Sequence, residues 1–425
     1  MSHVWRGFRR LTRIDVARDS FFRSVKLEPT EPEEVALSEA LWRVLAEDVS
    51  APADVPPRPR AALDGYAVRS TDTLGASPES PIVLRVVGEV SAGHPPEFSL
   101  SAGEAARIFT GAYLPGGANA VVPVEYAEEL GESVEIYTQV PAWRNVARPG
   151  EDVKRGELVL RAGTPLGPYE IGLLAELNIP RVPVRRRPRV ALACTGDEIV
   201  EVGGDVPLGK VPNSLRFIVE AMIRQAGGEP TYLGMVEDKP DDLIREVESA
   251  RDADLILTTG GTSVGKADTV YKAVLEAGGE IVVHGVAAMP GRPALLAKLP
   301  DGRPWIGLPG YPVAAIVDFR LFAAPAIWRL LGLRWRPLAP RVRARLVAPI
   351  PSSPGVRHFA RVRLTLAEAG NLLAEPVRVS GSGILSSLVR ADGFVEVPED
   401  VEGYPEGSEV WVELLTPYER WREWI

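Results

Sequence analysis

Cysteine is almost absent from this chain, with one residue, Cys194, in 425. A single thiol excludes an internal disulfide and any cysteine-based zinc cluster. At the end of an apolar, strand-like run, Cys194 reads as packing and not as a nucleophile. Histidine is nearly as scarce: His3, His94, His284 and His358 are scattered without ligand spacing, so no histidine metal centre is expected. Positive charge is in deficit. The 48 Lys and Arg against 57 Asp and Glu leave a formal net charge of −9, which argues against a nucleic acid or membrane surface held by bulk electrostatics. No apolar run approaches the roughly 18 residues of a membrane span. The N-terminus, MSHVWRGFRRLTRIDVARD, is basic without a continuous apolar segment, so no signal peptide is expected and the expected location is the cytoplasm. Methionine is rare (4) while proline is plentiful (39), and arginine far outnumbers lysine. Stiff loops and few thermolabile residues fit a thermophile; a GC-rich genome produces the same bias.

What is present is the composition of a globular protein, 45% hydrophobic and 25% charged, at a length that calls for two to four domains. Helical apolar spacing at Val35, Leu37, Leu41, Val44 and Leu45 predicts a helix over Pro32–Ser50. Short β-type runs separated by Pro and Gly fill residues 51–140 and predict a small β module. The basic stretch Arg181–Pro188 (RVPVRRRP) reads as a linker, with Arg185, Arg186 and Arg187 solvated. Strands and amphipathic helices then alternate, including a helix apolar at Leu215, Ile218, Val219, Met222 and Ile223, and a long apolar helix over Tyr311–Gly332. This predicts an open, mostly parallel, doubly wound sheet covered by helices. The remainder returns to β-type runs, with Trp411, Trp421 and Trp424 expected to close its core. The expected class is therefore α/β plus β in an elongated multidomain chain. Its parts are an N-terminal helical and linker unit (1–50 and 141–187), an inserted β module (51–140), an α/β domain (188–336) and a C-terminal β domain (337–425).

The most informative stretch is Ala253–Asp268, ADLILTTGGTSVGKAD. A buried strand ends in a Gly-Gly turn, a glycine-rich loop bearing hydroxyls follows, and an aspartate opens a helix. Bare backbone N–H groups, a helix start and a carboxylate then share one place, which suits an anion and the cation that accompanies phosphates. Four more loops of this kind follow strands of the same domain: Thr195–Glu198 (TGDE), Glu237–Asp238, Met289–Pro293 (MPGRP) and Leu308–Pro312 (LPGYP). In an open α/β sheet such loops surround the ligand crevice. Any one of them alone is ordinary strand punctuation. Gly260–Ala267 satisfies G-x-x-x-x-G-K, but Ala267 stands where a P-loop needs Ser or Thr for magnesium, so a P-loop-like NTPase is kept only as an alternative.

These motifs carry a resemblance that spans nearly the whole chain. The α/β segment is similar to the molybdopterin-binding domain of the MoeA and gephyrin E-domain family, the molybdopterin molybdenumtransferases. The matching pieces are VALACTGDE, the helix start at Asn213, the turn ending at Asp238, GGTSVGKAD, PGRP and LPGYP. The β module resembles the family through Asp54–Arg69 and Ala106–Glu125, and the C-terminal segment through Gly381–Glu399. The resemblance implies a transferase of molybdenum cofactor biosynthesis that accepts adenylylated molybdopterin, inserts molybdate or tungstate at the dithiolene and releases AMP. It implies catalytic roles for Asp64, Thr110, Glu198, Asp238, Asp268, Pro309 and Pro312, with Glu198, Asp238 and Asp268 at positions suited to Mg2+. Substrate contacts fall to Thr195, Gly196, Asp197, Asn213, Gly260, Gly261, Thr262, Ser263, Gly265, Arg292 and Gly310. Because Asp64 and Thr110 lie in the β module, it also implies a homodimer whose composite active site faces one subunit's module to its partner's sheet domain. Other proteins of cofactor biosynthesis are implied partners. Read without the family, Asp268 is a helix N-cap and Asp64-Gly65 a turn.

The chain departs from the family's pattern at three places. Ala61-Ala62-Leu63 stands where the family usually has Ser-Ala-Met, Met289 where it has Lys, and Tyr311 and Ala314 where it has Asn and Ser. Arg292 keeps one positive charge and can grip an oxyanion bidentately. A non-catalytic or altered-substrate paralogue that binds molybdopterin is therefore the other alternative.

Overall fold

The computed structural model describes residues 11–262, 268–334, 339–367, 370–378 and 381–415. Among them, three six-stranded sheets organise the chain. Helix α1 (Ile14–Ser24) buries Ile14, Ala17 and Phe21 in a core shared with the central sheet. Strand β1 (Pro32–Ala36) then occupies part of the segment predicted as helix. Long-range pairing overrides local periodicity here: Pro32 lies opposite Arg185 and Ala36 opposite Arg181, and the one helical remnant is a 3-10 turn at Leu37–Glu39. Trp42, with φ of 59°, stops any continuation.

The β module is built from β2 (Gly65–Val68), β3 (Ile82–Val90), β4 (Glu104–Ile108), β5 (Ala120–Pro123), β6 (Ala127–Leu130) and β7 (Ser133–Ile136). Their order is β5-β2-β4-β3-β7-β6, with small apolar cores on the two faces. After helix α2 (Pro168–Glu176) comes β8 (Arg181–Arg185), which corrects the linker reading. Val182 and Val184 are fully buried at period-2 spacing against β1. Nor is the arginine run solvated. Arg185 donates to the Thr30 carbonyl at 2.8 Å, and Arg186 grips Asp254 with two nitrogens at 3.0 and 3.1 Å.

The central domain alternates β9 (Arg189–Thr195), α3 (Ser214–Gln225), β10 (Glu229–Val236), α4 (Pro240–Ser249), β11 (Leu255–Thr259), α5 (Thr269–Glu276), β12 (Glu280–His284), β13 (Leu295–Lys298), β14 (Pro304–Leu308), α6 (Pro312–Asp318) and α7 (Ala324–Leu330). The order is β10-β9-β11-β14-β13-β12; the first four are parallel, and β13 alone runs against its neighbours. Helices α1, α3, α6 and α7 cover one face, and α4 and α5 the other. The single long helix predicted over Tyr311–Gly332 is interrupted by a π turn, Phe319–Ala323, just before Pro325, whose missing N–H cannot join a regular ladder.

The last domain is a barrel. Strands β15 (Arg341–Leu346), β16 (Arg357–Leu366), β17 (Leu372–Arg378), β18 (Gly393–Val397) and β19 (Glu409–Leu414) run in the order β16-β17-β15-β19-β18, and β18 pairs back onto β16. Its interior holds Val410 and Val412, so period-2 alternation turns Trp411 outward, 53% exposed with the Arg343 guanidinium over its ring. Trp411 therefore does not close this core; Trp421 and Trp424 lie outside the described residues. The short strand Ala288–Met289 pairs in parallel with β16 and ties the barrel to the central domain. No helix among the described residues is long and apolar enough to cross a membrane.

Candidate functional site

Because β9, β10, β11 and β14 are parallel, their carboxyl ends share one edge of the sheet, and β12, running in the same sense, ends there too. Thr195 ends β9, nearly buried, and offers its hydroxyl to the Thr259 carbonyl at 3.4 Å. Gly260 and Gly261 follow β11 at φ of 83° and 61°. A Cβ on Gly260 would lie 2.2 Å from the Thr195 carbonyl oxygen, and the Gly260 N–H donates to the Leu308 carbonyl at 3.0 Å. Gly310 rests against Gly260 in turn. Glycine thus lets three strand ends close on one another. Thr262 is buried beside them; Ser263 and Gly265 lie outside the described residues, as do Lys266 and Ala267.

The acidic residues divide into two groups. The Asp238 N–H donates to the Asp197 side chain at 3.3 Å, and Asp238 Oδ1 is buried without a hydrogen-bond partner among the described residues. Burial, then the charges of Asp197 and Glu198, push the Asp238 carboxyl above the usual carboxylate range. Gly196 stays open for this turn, since a Cβ there would meet the Glu198 carboxylate at 2.8 Å. Asp268 sits elsewhere on the lip. It caps α5 by accepting from the Tyr271 N–H at 3.2 Å and faces His284 Nε2 at 3.3 Å. Burial raises its carboxyl, opposed by the His284 charge. Among the described residues no three His, Cys, Asp or Glu side chains are placed to hold a metal ion, so Glu198, Asp238 and Asp268 are not assembled as one ligand set. Asn213 caps α3 through the Arg216 N–H at 3.3 Å and reaches the Tyr232 hydroxyl at 3.4 Å.

A cavity of about 320 Å³ opens where the central domain meets the barrel. Its walls include Met289–Pro293, Pro309, Tyr311 and Ala314 from the sheet loops, and Arg361, Gly381 and Ser382 from the barrel. Pro312 opens α6 at its first turn, and the Val313 N–H donates to the Ser382 carbonyl at 2.9 Å, which clamps the two sides together. Arg292 is exposed on one wall. From the barrel, Arg361 is nearly buried and donates to Ser387 Oγ at 2.7 Å and to the Gly381 carbonyl at 3.1 Å. Sequence reasoning missed Arg361: within RHFARVRLT it reads as one of several alternating strand arginines, and only the fold separates it from them. His284 was likewise passed over, because its partner Asp268 is adjacent in space only.

Asp64 and Thr110 meet each other in the β module, on a different sheet from the rest of the site. Asp64 Oδ1 accepts from the Thr110 hydroxyl at 2.6 Å and from its N–H at 2.7 Å, and these bonds hold the carboxyl below its usual range.

Three family models match the chain in order. They are the MoeA N-terminal region (domain I and II) over residues 12–178, a probable molybdopterin binding domain over 191–329, and the MoeA C-terminal region (domain IV) over 343–415. The molybdopterin molybdenumtransferase of Bacillus subtilis is 36% identical over 93% of this chain and 92% of its own length. That of Haemophilus influenzae is 33% identical over 94% and 98%. The crystal structure of the molybdopterin biosynthesis MoeA protein from Pyrococcus horikoshii superposes with a TM-score of 0.83 at 33% identity, covering 95% of this chain and all of that one. Taken with the glycine-closed sheet edge and the barrel-walled cavity beside it, these matches place the chain in the MoeA family of molybdopterin molybdenumtransferases.

Proposed function

We propose that this chain transfers molybdenum from an oxyanion to the dithiolene of adenylylated molybdopterin and releases AMP. One observation carries the reading: a cavity with an arginine from each of two domains adjoins a sheet edge where glycine turns and a crowded carboxylate meet. Guanidinium groups suit a tetrahedral dianion, and the glycine turn that ends β11 suits a phosphate. At the dithiolene, two thiol sulfurs bind the metal and one oxygen leaves as water, carrying both thiol protons; a separate water cleaves the pyrophosphate link, so AMP leaves and molybdopterin keeps its own phosphate. Molybdate is the proposed substrate, with tungstate, its isosteric analogue, accepted by the same walls.

Magnesium fits one part of this edge. The orphaned Asp238 Oδ1 offers a hard oxygen ligand; a cation held there chiefly by substrate phosphates would offset their charge, with Asp197 and Glu198 adding negative field and not a three-carboxylate cage. Asp268, engaged with His284, is proposed to orient a reacting group and not to bind that ion. Asp64 and Thr110 support the composite-site reading: an ionised carboxylate fixed on a separate sheet can complete the cleft of a second subunit in a homodimer.

The test incubates the purified chain with adenylylated molybdopterin, molybdate and Mg2+, and measures AMP by chromatography and active cofactor by reconstitution of a molybdenum-free enzyme. AMP and cofactor in equal amounts are expected, with both lost in Arg292→Ala. Hydrolysis of free ATP that disappears in Lys266→Ala, with no cofactor formed, would replace this reading by the nucleotidase one.

A further inference from the structure

Asp318 ends α6 and exposes 0% of its surface. Neither of its carboxylate oxygens has a hydrogen-bond partner among the described residues. Burial pushes the carboxyl well above the usual range and so favours its uncharged, protonated form. Such a group costs stability and contributes no bond in return. Its position gives that cost a meaning. Ala314 is one helical turn earlier on the same face of α6 and lines the cavity, so Asp318 lies roughly 6 Å below it along the helix axis. Gly291 also lines the cavity, at φ of 121°, and a Cβ there would fall 2.4 Å from Asp318 Oδ1. Between the carboxyl and the cavity, therefore, stand a glycine backbone and a methyl group. Immediately past Asp318 the helix widens into the π turn Phe319–Ala323, a distortion concentrated at functional sites.

We propose that Asp318 is a positioning and specificity-determining residue of the cavity, a carboxyl pressed against the back of the Met289–Arg292 turn that sets how this turn presents its backbone and Arg292 to a tetrahedral dianion. The inference rests on the oxyanion reading of the cavity given above. Its donor capacity is left unused in the free protein and is taken up when the turn closes on the anion. A carboxylate there would repel the same ligand, and an apolar side chain would leave the turn unsupported by any donor.

The experiment titrates the full-length protein with molybdate and with sulfate by isothermal titration calorimetry and records thermal unfolding, for wild type, Asp318→Leu, Asp318→Ala and Arg292→Ala. Asp318→Leu is expected to unfold at or above the wild-type temperature, yet to bind molybdate about tenfold more weakly and to lose preference for molybdate over sulfate. A packing role alone would move the unfolding temperature and leave that preference intact. Asp318→Ala, which cannot overpack, gives the same reading should the leucine variant fail to fold. Molybdate affinity within threefold of wild type in the folded variant, with preference unchanged, overturns the proposal. If that happens while Arg292→Ala abolishes binding, the cavity reading stands and only the role of Asp318 falls. Absence of molybdate binding by the wild type overturns both.

Discussion

Asp268 offers a clean separation of structure from chemistry, because its two jobs use different properties of one side chain. As the N-cap of α5 it needs only an oxygen that accepts from the Tyr271 N–H at 3.2 Å; facing His284 at 3.3 Å it needs charge. Asparagine keeps the first and lacks the second, while alanine lacks both. Replacing a capping Asp by Ala costs about 1 kcal/mol, and Asn caps as well as Asp does. For a domain of this size, 1 kcal/mol corresponds to about 2–4 °C in Tm. Asp268→Ala should therefore melt about 2–4 °C below wild type, and Asp268→Asn within about 1 °C of it. Activity should divide differently. Misplacing a reacting group by about 1 Å costs on the order of 10² in rate, so both variants should lose AMP release by about 10². Differential scanning calorimetry and single-turnover AMP release, run on the same preparations, supply the two columns. Normal AMP release by Asp268→Asn, alongside the expected melting temperatures, would reduce this residue to a cap and sink its proposed catalytic role.

Two further outcomes follow from the carboxyl environments. Thr110→Val deletes the 2.6 Å hydroxyl bond and leaves the 2.7 Å backbone bond, so the Asp64 carboxyl should rise partway to its ordinary range; the acid limb of AMP release should shift to higher pH, and an unmoved limb refutes the link. Asp318 acts on stability with the opposite sign to a salt-bridged carboxylate. The folded state holds its proton above the pH where the unfolded chain releases it, about 3.9, so over that window the unfolded state binds fewer protons and stability falls as pH rises, at about 1.4 kcal/mol per pH unit. The Tm advantage of Asp318→Leu over wild type should accordingly widen from pH 4 to pH 8, and a constant gap contradicts the assignment of a buried acid.

The parts of this site that could be read from the sequence are those written in short-range grammar. TGDE, the Gly260-Gly261 turn and LPGYP each sit directly after a strand, and a parallel sheet brings such ends together without further information. Reading failed wherever distant segments decide the outcome. Pro32–Ser50 has helical spacing, but β8, about 145 residues later, recruits its start as a strand. Arg186 looks solvated until Asp254 is brought to it by the sheet. Arg361 reaches the cavity only because β16 pairs with Ala288–Met289, and Asp318 is invisible as a site residue because a lone polar position in an apolar helix has no local signature.

The parallel pairing of Ala288–Met289 with β16 makes the anion cavity a seam and not a pit. Part of its lining, Arg361, Gly381 and Ser382, is inherited from a barrel that folds around its own valines. On the proposed reading, changes in Arg361, Gly381 or Ser382 retune which oxyanion is held and leave the sheet-edge glycines as they are. Were that site as proposed, metal choice and pterin recognition would be separately inheritable traits.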